Sequence, residues 1–104
     1  MYCTDNKLFP SFPNEPFNTA VRSGKAGATI GWILEEIKPE SVFFTEEDGH
    51  RAATMVVNVN QSSDIPLFAE PWFLNFNADC QFRIAMTPED LKKAGLEDLG
   101  KKWA

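Results

Sequence analysis

The spacing of hydrophobic positions changes several times along the chain, and each change marks an element. "SVFFTEEDGHRAATMVVNVN" holds two β-rich runs around Asp48-Gly49. Their alternation predicts strands near 41–46 and 51–59, joined by a tight hairpin turn. In the second run Ala53, Met55, Val57 and Val59 point one way, and Thr54, Val56 and Asn58 the other. "ADCQFRIAM" alternates in the same manner and predicts a last strand, with Cys80, Phe82, Ile84 and Met86 opposite Asp79, Gln81, Arg83 and Ala85. Near the start, "KLFPSF" has strand-like apolar residues. Proline gives no hydrogen to a ladder, so this strand is expected to end near Phe9, ahead of Pro10.

Between the strands the spacing becomes helical. Asn14 is placed to cap a helix with Glu15 and Pro16 in its first turn, running to about Ile37 before Pro39, with a break near Gly24 as an alternative. Phe17, Ala20, Gly24, Gly27, Gly31 and Leu34 recur at intervals of three and four and share one face. A helical glycine costs about 1 kcal/mol relative to alanine. Two offsets are open: close packing of this face on a sheet, or room left for a ligand. In "QSSDIPLFAEPWFLNFN", Ile65, Phe68, Ala69, Trp72, Phe73 and Phe76 fall at helical spacing. Ser63 or Asp64 can cap that helix, and Pro71 is expected to kink or split it. Thr87, Pro88 and Asp90 form the start of a further helix, which Gly95 ends, and Leu96, Leu99 and Trp103 make a short apolar tail over 87–104.

The element order β-α-β-β-α-β predicts an α+β fold: a ferredoxin-like, four-stranded antiparallel sheet with two helices on one face and a C-terminal helical tail. The 104 residues are expected to form one domain, large enough to hide a core without metal or disulfide support. Met55, Val57, Phe82 and Ile84 would face the helices. The other sheet face would carry Phe43, Thr45, Thr54, Val56, Asn58, Gln81, Arg83 and Ala85, a mixture that invites a second copy around a twofold axis. Asn58, Gln81 and Arg83 are the candidates to hydrogen-bond across that interface or to hold an anion there.

Charge and chemistry narrow the partners. The net charge of −5 argues against nucleic acid and against an anionic membrane, both of which favour a basic surface. No apolar run approaches the ~20 residues of a membrane helix. The opening "MYCTDNKLF" lacks the basic end and apolar run of a signal peptide, so a reduced, cytoplasmic protein is expected. The sole histidine, His50, follows a turn and has no second histidine with which to hold a metal. Phosphate loops, nucleophile elbows and paired CxxC motifs are absent, so no cofactor is expected and no catalytic set is assigned. Trp32, Trp72, Phe68, Phe76 and Cys80, with Glu36 and Asn75 as polar groups, are candidates to line a small-molecule pocket between sheet and helices.

The element order over residues 1–86 and the half-polar sheet face resemble the dimeric α+β barrel superfamily, which includes muconolactone isomerase-like proteins and antibiotic-biosynthesis monooxygenases. "AEPWFLNFNA" and "AMTPEDLKKAGLEDLGKKW" look similar to a small uncharacterised bacterial family of about this length. The resemblance implies a homodimer binding a small, largely apolar molecule, with isomerase- or monooxygenase-like activity. The alternative is a non-catalytic dimeric interaction module whose tail docks across protomers. Whether the chain is an enzyme stays open at this level.

Overall fold

The computed structural model describes residues 4–104. A pairing of Cys3 with Cys80 therefore lies outside the described residues. The chain forms strand β1 (Thr4–Ser11), helices α1 (Asn14–Arg22) and α2 (Ala26–Ile37), and strands β2 (Ser41–Glu47) and β3 (His50–Val59). After a short 3₁₀ turn come helix α3 (Ile65–Phe76), strand β4 (Asp79–Ile84), and helices α4 (Pro88–Lys93) and α5 (Leu96–Trp103). The four strands make one sheet in the order β2-β3-β1-β4, every neighbouring pair antiparallel. Each helical crossover thus joins two strands with a third between them, an arrangement compatible with a ferredoxin-like fold.

Three local signals act as their chemistry dictates. The β2–β3 hairpin closes through Asp48 (φ 51°) and Gly49 (φ 80°), both in the left-handed region that twists a two-residue turn to suit its strands. The Gly49 amide also donates to the Glu46 carboxylate at 3.0 Å. Thr87 caps α4: its hydroxyl accepts from the Asp90 amide, and the Asp90 carboxylate accepts from the Thr87 amide, each at 3.1 Å. Gly24, at φ 74°, separates α1 from α2, so the long helix breaks there.

Four expectations are corrected. Glu15, not Asn14, closes the start of α1; Glu15 has extended backbone, and its carboxylate accepts from the Thr19 amide at 3.0 Å and hydroxyl at 2.7 Å. β1 does not stop at Phe9. It runs through Pro10 to Ser11 in a central position between β3 and β4. The ladder to β4 continues through Pro10 opposite Cys80, whereas the pairing with β3 skips from Leu8 to Ser11, so the missing N–H falls in a gap. α3 runs unbroken through Pro71, with its opening proline at Pro66. The glycine face does not press on the sheet: Gly27 and Gly31 are exposed, and a methyl group at either would meet open space. α2 turns Ala26, Ile33 and Ile37 inward instead.

The core lies between α1–α3 and one face of the sheet. Leu8, Met55 and Val57 are fully buried there, with Leu8 opposite Met55 in register across β1 and β3. Above them Phe12, Phe17, Trp72 and Phe76 pack ring to ring, with centroids 4.6 to 6.4 Å apart. Burying each such side chain contributes roughly 1.5–3 kcal/mol. Arg51 ties β3 to α1, donating to the Asn18 side-chain oxygen Oδ1 at 2.7 Å and lying 4.6 Å over the Phe17 ring. Phe82 packs against this core, but Ile84, on the same side of β4, is 84% exposed because it lies beyond the helices' cover. The radius of gyration is 17.0 Å, against about 13 Å for a compact chain of this size. The molecule is elongated, 59 Å along its long axis, and α4 and α5 contain no buried residue.

Candidate functional site

Two surfaces collect the candidate residues, one on each side of the molecule. The first is the sheet face that no helix covers. Register places its residues in rows across the strands. The middle row runs Phe43, Thr54, Phe9, Gln81, and the next runs Ser41, Val56, Lys7, Arg83. Phe43 is 69% exposed; Phe9 and Val56 are half-buried. The Arg83 guanidinium lies 5.2 Å over the Phe9 ring and stands beside Lys7 across the ladder. Asn58 lies in a different row, and its amide donates to the Glu40 carboxylate at 2.7 Å. Asn58, Gln81 and Arg83 therefore share the face without forming one cluster. Phe9 and Lys7 belong to it as well. The sequence places both in a strand ending near Phe9 but does not assign them to a face.

The second surface is an apolar groove of about 420 Å³ on the outside of the helix layer, between α2 and α3. α2 contributes Trp32, Ile33 and Glu36; α3 contributes Leu67, Glu70, Pro71, Leu74 and Asn75. Trp32 and Leu74 are 59% and 81% exposed, and Ile33 forms the buried floor. The expected pocket residues separate across α3. Trp32, Glu36 and Asn75 line this outer groove, whereas Trp72 and Phe76 are buried in the ring cluster beneath. Phe68 and Cys80 are half-buried at the edge of the core. The helix period explains the split. Trp72 and Phe76 are one turn apart and face inward, and Leu67, Leu74 and Glu70 occupy the opposite side of the same helix. The Asn75 amide already donates to the Pro71 carbonyl at 2.8 Å, which leaves Glu36 and Glu70 as the groove's charged groups.

Nucleophilic chemistry finds little support in the remaining groups. His50 is exposed at the hairpin, with Nδ1 3.2 Å from the Asp48 carbonyl oxygen. Burial pushes the Cys80 thiol up to about 12, and the carboxylates of Asp79 and Glu70 add to the rise. The thiolate that attacks electrophiles is thus suppressed at neutral pH. Iodoacetamide is expected to leave Cys80 of the folded chain largely unmodified through pH 9 and to modify it only as pH approaches 12. In urea its reaction should rise from about pH 9, the ordinary range of a thiol. Peptide-resolved mass measurement reads this, and rapid reaction of the folded chain at pH 8 would contradict it. The same shift gives a sign for stability. Between pH 9 and 12 the unfolded chain releases the thiol proton and the folded chain keeps it. The stabilisation is therefore complete below pH 9 and is lost as pH rises toward 12.

Among the described residues, no helix is long and apolar enough to cross a membrane. Comparison with protein-family models, with curated proteins and with solved structures finds no match to this chain. What the fold defines is a small α+β protein: a four-stranded antiparallel sheet, helices packed on one face, and an extended helical tail.

Proposed function

We propose that the chain is a homodimeric interaction module of ferredoxin-like architecture, without catalysis of its own, that pairs through its open sheet face. The cytoplasm is its proposed setting. The observation that carries this reading is the composition of that face. Phe43, Phe9 and Val56 are apolar groups that the chain's own helices leave bare, with Thr54 between the two rings and Gln81 and Arg83 on the flanking strand β4. Two such faces meeting about a twofold axis would shield the rings and leave the polar groups to hydrogen-bond across the seam. The absence of a convergent acid, base or nucleophile on either surface among the described residues favours a module over an enzyme.

A second reading, a small apolar ligand, has one observation in its favour. The α2–α3 groove has a volume of about 420 Å³, within the 300–1,000 Å³ range of small-molecule sites.

Alternation along β2 supplies the test of pairing. Phe43 points to the open face and Phe44 to the helix face. Phe43→Asp should weaken self-association at least about tenfold, a loss of about 1.4 kcal/mol, as read by sedimentation equilibrium of the full chain. Phe44→Asp should leave association near wild type. Equal association in all three proteins would exclude the sheet face as the interface.

A further inference from the structure

The tail is an unpartnered amphipathic helix, and the outer groove is an unpartnered apolar trough. α5 presents Leu96, Leu99 and Trp103 along one side, and each is exposed. A helix of eight residues is marginal in water. With no buried residue to hold it, α5 needs an external surface to keep its shape. The groove matches it in three respects. First, α3 borders the groove from Pro66 to Asn75, about 15 Å at 1.5 Å per residue, and α5 spans about 12 Å. Second, the groove walls are Trp32, Leu67 and Leu74, the side-chain types that α5 carries. Third, the last turn of α5 is opposite in charge to the groove, while the acids Glu97 and Asp98 sit at the other end of that helix. Glu36 and Glu70 stand at the groove, and neither has a cation within salt-bridge distance among the described residues. The last turn of α5 carries Lys101 and Lys102, and the Lys102 ammonium lies 5.4 Å from the Trp103 ring, so the charge travels with the ring.

We propose that α5 of one chain docks in the α2–α3 groove of a second copy, with Trp103 seated beside Trp32 and Leu74 and the tail lysines facing Glu36 and Glu70. The partner is a second copy because the surface that complements α5 in charge and apolar character is this chain's own groove, and α5 does not pack against α2 or α3 of its own chain. The groove is on the side of the molecule opposite the open sheet face, so this docking stands independently of sheet pairing.

Amide hydrogen exchange in residues 96–103 of the full chain tests the proposal, because sheet pairing does not touch that segment. Protection should rise at least about tenfold from dilute to concentrated protein. Lys101→Glu with Lys102→Glu should abolish the rise, as should Glu36→Lys with Glu70→Lys, and all four together should restore it. These positions are exposed, so the fold is retained. Phe43→Asp should leave tail protection at high concentration intact. Protection that does not depend on concentration would place the tail in its own groove and overturn the proposal. Absence of protection at every concentration would assign the groove to a different occupant and overturn it too. So would failure of the fourfold variant to recover.

Discussion

Trp72→Ala should cost about 3–5 kcal/mol of folding stability. Trp72 is fully buried, stacked 6.4 Å from Phe76 and tilted against Phe12 at 5.7 Å, so its removal opens a cavity at the junction of α3 and the sheet. A domain of this size has only about 5–15 kcal/mol in total. At roughly 4–8 °C per kcal/mol the midpoint should fall by at least about 12 °C. Trp72→Phe is the informative companion. The indole Nε1 is buried and has no hydrogen-bond partner among the described residues, and an unsatisfied donor costs about 1–3 kcal/mol. Phenylalanine loses volume but removes that penalty, so its cost should be less than half that of alanine. Urea unfolding at unchanged m-value measures both. Equal losses would mean that the indole N–H carries no penalty.

The placement of Trp72 also shows what a sequence can and cannot disclose. Its helix is legible because Ile65, Phe68, Trp72 and Phe76 recur at helical spacing, and all of them pack in or against the core. The hairpin at Asp48-Gly49 and the Thr87 cap are equally legible, since each rests on the chemistry of two or three adjacent residues. The misread elements depend on distant ones. Pro10 looks like a terminator until β4 is seen to supply its continuous ladder and the β3 pairing is seen to skip it. Gly27 and Gly31 look like a close-packing face until α2 is rotated by Ile33 and Ile37, which claim the core side.

The candidate site follows the same division. Trp32, Glu36 and Asn75 are candidates on sequence grounds, but composition does not distinguish the two sides of a helix as apolar as α3, and so Leu67 and Leu74 escape notice. An apolar helix reads as buried all round. In the structure, the outward half of its hydrophobic surface is left for something to cover. The open sheet face is read more fully: Phe43, Val56, Gln81 and Arg83 lie on it as the alternation predicts, and only the β1 contribution of Lys7 and Phe9 is missed.

Phe12→Ala is expected to rival the loss of Trp72, at about 3–5 kcal/mol. Phe12 is 2% exposed and touches three rings at once: Phe17 at 5.2 Å, Phe76 at 5.6 Å and Trp72 at 5.7 Å. Its amide donates to the Arg51 carbonyl at 2.9 Å, so the ring is fixed to the sheet while its neighbours belong to α1 and α3. Residues that share a packing site couple, and the two alanine losses should fail to add by 0.5 kcal/mol or more. Denaturant unfolding of Phe12→Ala, Trp72→Ala and the double variant measures that coupling; strict additivity would show that the rings act separately. The cluster bears on recognition as well. Trp72 and Phe76 anchor the inner side of the helix whose outer side carries Leu67 and Leu74. Loosening Phe12 should therefore let that groove wall move. A marginally folded Phe12→Leu, which keeps an apolar side chain in place, should lose tail protection in residues 96–103 before it loses its sheet. Loss of both together would mean that α3 and the sheet unfold as one unit.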